Sequence, residues 1–65
     1  MKFTFNPPAK SSDEAVDRVF EKFKDSELVK SARDNYEEGF LTLSEFKNKV
    51  VDIVYNSPGE EIEIG

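Results

Sequence analysis

The chain predicts a mainly α fold: three short helices in a small bundle, with short N- and C-terminal strands or extended arms packed on them. Three observations predict it. An S/T-x-x-E capping box occurs twice, at Ser11/Glu14 and at Thr42/Glu45. Apolar residues recur at helical spacing after each box, and both ends alternate polar and apolar residues as half-buried strands do.

The first strand is expected over residues 2–5, where Lys2-Phe3-Thr4-Phe5 puts both phenylalanines on one side and Pro7 and Pro8 then stop any pairing. The first helix is expected at about 12–24. Ser11 caps it, Asp13 and Glu14 sit at the positive end of its dipole, and Lys22 and Lys24 lie near the other end. Val16, Val19, Phe20 and Phe23 form its apolar stripe.

No Pro or Gly separates Lys24 from Glu38, so periodicity must decide whether this helix continues. At about 100° per residue, a continuous helix would place Leu28, Val29, Ala32 and Tyr36 opposite the first stripe. A domain this small could hardly cover two such faces, so a break is expected at Asp25 or Ser26, either of which can cap a new helix. The competing picture is one long helix that uses both faces in an oligomer. A second helix then spans about 27–38, and Gly39 supplies the left-handed residue that ends it.

The third helix is expected at about 43–55, opened by the Thr42/Glu45 box, with Leu41 before the cap able to pack on Phe46. Its stripe is Leu43, Phe46, Val50, Ile53 and Val54, and Glu45 and Lys49 are spaced as an i,i+4 ion pair. Val50, Val51, Ile53, Val54 and Tyr55 also have β propensity, but the cap and the spacing favour helix. Asn56-Ser57-Pro58-Gly59 is a stop and a turn. The last strand is expected over 60–64, with Ile62 and Ile64 on one side. Pairing with the N-terminus would set Lys2 beside an acidic strand.

Composition narrows function. The 65 residues form one small domain, near the lower limit for folding without disulfides or metal. Cysteine and histidine are absent, which removes thiol nucleophiles, the commonest zinc ligands and the side chain best suited to proton transfer near neutral pH. No Gly-rich phosphate loop occurs, and the Gly39 connection is far too short for a calcium-binding loop. Neither enzymatic activity nor a metal or cofactor is expected. Fourteen acidic against nine basic residues give a net charge of −5, which disfavours direct binding of nucleic acid or an anionic membrane surface. No apolar run is long enough to span a bilayer or serve as a signal peptide, so a cytoplasmic protein is expected.

Three features are candidates for partner binding. On α-helical geometry Val51 and Tyr55 fall well away from the main stripe of the third helix. Either the terminal strands cover them or they form an exposed patch that docks a partner or a second copy, which Tyr36 and Phe40 near the hairpin tip could extend. Asp13, Asp17 and Glu21 recur every four residues, an acidic ridge along the first helix that is either a solvated face or a surface for a basic partner. With Glu60, Glu61 and Glu63 it could mimic a line of phosphates and occupy a basic site on a nucleic-acid-binding protein. The alternating termini are a third, since a strand edge can join a partner's sheet.

The stretch from Tyr36 through Gly39, Leu41, Thr42, Glu45 and Phe46 to Lys47, ending on Val50 and Ile53, resembles the short helical-hairpin modules called SHOCT domains over about residues 28–54. The resemblance implies an interaction or oligomerisation role. Small acidic chains, including those encoded by bacteriophages, often act as regulators or inhibitors. The expectation is therefore a non-catalytic module that binds and modulates a larger protein. The alternatives are a homodimeric structural module and an acidic nucleic-acid mimic.

Overall fold

Residues 1–65 are described by a computed structural model, in which the elements follow as β1 (Lys2–Phe5), α1 (Ser12–Phe23), a 3-10 turn (Glu27–Val29), α2 (Lys30–Glu37), α3 (Leu43–Tyr55) and β2 (Glu61–Ile64). The protein is a mainly α bundle with paired terminal strands.

Side-chain caps set the helix starts. The Ser11 hydroxyl accepts the Glu14 N–H at 3.2 Å, while the Glu14 carboxylate reaches back to the Lys10 N–H at 2.6 Å, one residue earlier than a reciprocal box requires. At α3 the box closes fully: Thr42 Oγ1 accepts from the Glu45 N–H at 3.2 Å, and Glu45 Oε1 accepts from the Thr42 N–H at 2.9 Å. That bond engages the Glu45 carboxylate at the cap, and the expected ion pair with Lys49 is not formed.

The break between α1 and α2 falls at Ser26, which rules out the single long helix. Ser26 is extended, with φ −73° and ψ 147°, and its hydroxyl accepts the Leu28 N–H at 3.2 Å. The second helical segment starts as a 3-10 turn and becomes α-helix only at Lys30. Arg33 locks the corner, donating to Lys24 O, at the negative end of α1, at 3.0 Å and to Ser26 O, in the cap of the next segment, at 3.2 Å.

α2 ends in a Schellman motif. The Phe40 N–H donates to Asn35 O at 2.9 Å and the Gly39 N–H to Tyr36 O at 3.1 Å, with Gly39 at φ +88°. At the end of α3, Asn56 Nδ2 and Ser57 Oγ donate to the carbonyls of Asp52 and Ile53, and the Met1 amino group donates to Tyr55 O at 2.6 Å. The bonds to Ile53 and Tyr55 satisfy carbonyls that a helix end leaves without partners, while Asp52 O already accepts the Asn56 backbone N–H at 3.1 Å.

Six of the eight buried hydrophobic residues form one cluster: Phe20 from α1, Val29 and Ala32 from the second helical segment, and Phe46, Val50 and Val54 from α3; Val19 and Ile64 are buried outside it. Phe20 meets Phe46 edge to face, at 5.1 Å between centroids and 87° between planes. Leu43, expected in the α3 stripe, is instead 48 % exposed, because it lies at the mouth of the groove between α1 and α3, outside the core cluster.

β1 and β2 pair in parallel, with Lys2 opposite Glu61, Phe3 opposite Ile62, Thr4 opposite Glu63 and Phe5 opposite Ile64. A parallel pair needs a long crossover connection, and here all three helices supply it. Two strands alone are marginal. This pair is held by packing: Ile64 is fully buried where β2 lies against α1, and Phe3 packs on the core.

Candidate interaction surface

The C-terminal turns of α3 carry an apolar surface that the rest of the molecule leaves open. Val50 and Val54 point into the core and are fully buried, whereas Val51 is half-buried and Tyr55 is 59 % exposed. Val51 and Tyr55 are four residues apart and so share one face. The Phe3 ring stands 6.2 Å from the Tyr55 ring and 6.3 Å from Phe5, so β1 extends this surface with two half-buried aromatics. The terminal ribbon therefore reaches Tyr55 without covering it.

Tyr36 and Phe40 do not join that patch. They lie toward the N-terminal end of α3, where Phe46, the partner of Tyr36, is nine residues and about 13 Å of helical rise from Tyr55. Tyr36 stacks on Phe46 at 4.7 Å and 14°, at the margin of the core. Phe40, at 73 % exposure the most open large apolar side chain, follows the Schellman glycine and projects from the hairpin tip.

Asp13, Asp17 and Glu21 all face outward on α1, but the ridge is interrupted by cations. Lys47 crosses from α3 to bond Asp17 at 2.9 Å, its ammonium also 5.7 Å from the centre of the Phe20 ring. Lys24 bonds Glu21, and that hydrogen bond raises the Lys24 ammonium above its ordinary pKa; Asp34 does the same to Lys30. Between α1 and α3 runs a shallow groove lined by Asp13, Val16 and Asp17 on one side and Leu43, Ser44 and Lys47 on the other. No group of three or more acidic side chains converges so as to hold a metal ion.

Sequence patterns alone do not single out Arg18. Its guanidinium bonds Glu14 at 3.2 Å and donates to the carbonyl of Pro7, fastening the Pro7-Pro8 segment to α1. The charge is visible in the sequence, but its acceptor is a backbone carbonyl, which any residue would provide.

The helices are all too short and too polar to cross a membrane. Comparison with protein-family models, with curated proteins and with solved structures returns no match to this chain.

Proposed function

We propose that the chain is a non-catalytic interaction module that binds a larger protein and modulates its activity, most simply by inhibition, in the cytoplasm of a bacterium or of a cell infected by a phage. The observation that supports this reading is the open face at the end of α3. Tyr55 is 59 % exposed beside Phe3 and one helical turn from Val51, so aromatic and aliphatic surface is continuous across two elements. Such a surface suits the apolar centre of a protein interface, and tyrosine is among the residues that most often dominate binding energy. The acidic rim of α1 would then steer a partner of opposite charge toward the module.

The test compares wild type with Tyr55→Asp and Val51→Asp as tagged baits, followed by calorimetry with the purified protein that wild type captures. Tyr55→Asp changes an exposed side chain and leaves thermal unfolding close to wild type, while binding falls by a factor of ten or more, as expected for a central interface tyrosine losing about 1.4 kcal/mol or more. A folded Tyr55→Asp protein that binds as wild type does would refute the assignment of this face.

A further inference from the structure

The two outer edges of the terminal ribbon differ in chemistry. The Lys2 N–H donates to Glu60 O at 3.0 Å, and the Asn6 N–H donates to Ile64 O at 3.1 Å. Alternate residues along a parallel ladder face the neighbouring strand, so Lys2, Thr4 and Asn6 face β2 while the backbone groups of Phe3 and Phe5 face outward. By the same alternation, the backbone groups of Glu61 and Glu63 form the outer edge of β2. No turn, loop or cap of the chain takes up the outward groups on either edge.

We infer that the outer edge of β1 pairs with β1 of a second copy, antiparallel about a two-fold axis at Thr4, giving a four-stranded sheet in the order β2-β1-β1-β2. The register is self-complementary. Phe3 of one copy stands opposite the partner's Phe5, so each such pair exchanges two N–H to C=O bonds, and both pairs together use every outward group of Phe3 and Phe5. On the apolar face this sets each phenylalanine beside the partner's, a favourable cross-strand pair. On the solvent face Thr4 meets the partner's Thr4, and Lys2 meets the partner's Asn6, so no like charges oppose one another.

The β2 edge lacks this property. Antiparallel pairing of β2 with its own copy would set Glu61 against the partner's Glu63, two carboxylates directly opposed. Charged side chains of this kind are how natural sheets protect an edge from pairing. Joining β1 of one molecule to β2 of the next would not close on itself and would grow without limit. The two-fold β1 pairing is thus the arrangement that closes without placing like charges together. Pro7 and Pro8 end the strand after four residues, so the contact is small and belongs to the weak class of interfaces below about 1,200 Å².

This pairing is separable from the proposed role of the α3 face. Thr4 is exposed on the ribbon's outer side, away from Val51 and Tyr55, and lies opposite Glu63 within the monomer. Thr4→Lys therefore adds a favourable neighbour to the monomer while setting two ammonium groups face to face across the two-fold axis. The chain has no cysteine, so Thr4→Cys introduces a single thiol. At a non-hydrogen-bonded antiparallel pair the Cα atoms stand about 4.5 Å apart, within disulfide range. Glu63→Cys is the control, because three strand spacings would separate the two thiols by about 14 Å.

The experiment is sedimentation equilibrium of wild type and Thr4→Lys from micromolar to millimolar concentration, with mild oxidation of the two cysteine variants. The expected results are a monomer–dimer equilibrium in wild type, its loss in Thr4→Lys at unchanged helicity, and disulfide dimers of Thr4→Cys forming at least about tenfold faster than those of Glu63→Cys. A wild type that stays monomeric at millimolar concentration overturns the inference, as do species growing beyond the dimer. A dimer that survives Thr4→Lys but is lost in Val51→Asp also overturns it, and would place self-association on α3.

Discussion

Ile64→Ala is the sharpest test of whether the terminal strands belong to the fold or merely rest on it. Ile64 is fully buried although it is the penultimate residue, and it lies on the side where β2 packs against α1. Replacing it by alanine removes three buried carbons, worth about 2.4 kcal/mol at roughly 0.8 kcal/mol each. Incomplete collapse of the space left behind brings the expected loss to about 2–4 kcal/mol. A chain of 65 residues has a total stability of roughly 3–10 kcal/mol, so the variant forfeits a large fraction of it. With a urea slope of about 1 kcal/mol/M for so small a domain, the midpoint should fall by about 2 M or more. Urea unfolding followed by circular dichroism measures this directly, with Ile62→Ala as an internal comparison. Ile62 is half-buried on the same strand and should cost about half as much. A loss below about 0.5 kcal/mol for Ile64→Ala, the range of ordinary surface substitutions, would show that β2 detaches without consequence and would refute the packing argument.

Other substitutions probe single physical terms. Gly39→Ala should destabilise by about 1–2 kcal/mol in thermal or urea unfolding, because φ is +88° there and nothing lies near enough to clash with an added Cβ, so the cost is purely conformational. Thr42→Ala, which removes the hydroxyl that accepts the Glu45 N–H, should cost about 1 kcal/mol in the same assay. The Thr42 backbone N–H and then its hydroxyl hold the Glu45 carboxyl below its ordinary pKa, so its contribution is complete above the usual carboxylate range and vanishes as pH falls through the lowered value. The stability gap between wild type and Glu45→Gln should therefore be larger at neutral pH than at about pH 3. Asp17→Asn should change stability by less than about 1 kcal/mol, since its bond to Lys47 is largely exposed, and the effect should shrink further in high salt.

Much of this architecture can be read in the residues. The Thr42 box opens α3 and the stop at Asn56 closes it, while the mismatch of stripes across Asp25 and Ser26 reveals a corner that no Pro or Gly marks. The open face at Tyr55 is legible because its angular offset from Val50 and Val54 follows from the helix period alone. Tyr36 is not legible in this way: which aromatic stacks on Phe46 depends on how α2 lies against α3. The same holds for Lys47 and Asp17, thirty residues apart, and for Arg18 and Arg33, whose acceptors are backbone carbonyls. Glu45 shows a local conflict, since one carboxylate is offered both the cap and Lys49, and it accepts the Thr42 backbone N–H while its own backbone N–H donates to the Thr42 hydroxyl.

The parallel pairing of the strands shapes what the molecule can bind. Four connections of three to six residues join β1, α1, the second helical segment, α3 and β2. A parallel pair formed from the two ends of one chain has unlike edges, because each edge carries only its own strand's sequence. Here one edge carries Phe3 and Phe5 between Lys2 and Asn6, and the other carries Glu61 and Glu63. The acidic edge repels its own copy, whereas the aromatic edge matches its copy bond for bond. Since a dimer stabilises only the folded chain, by mass action, pairing through β1 predicts a melting temperature that rises with protein concentration in wild type. In Thr4→Lys it should stay flat over the same range, and a wild-type curve equally flat would mean that the β1 edge has no second strand to meet.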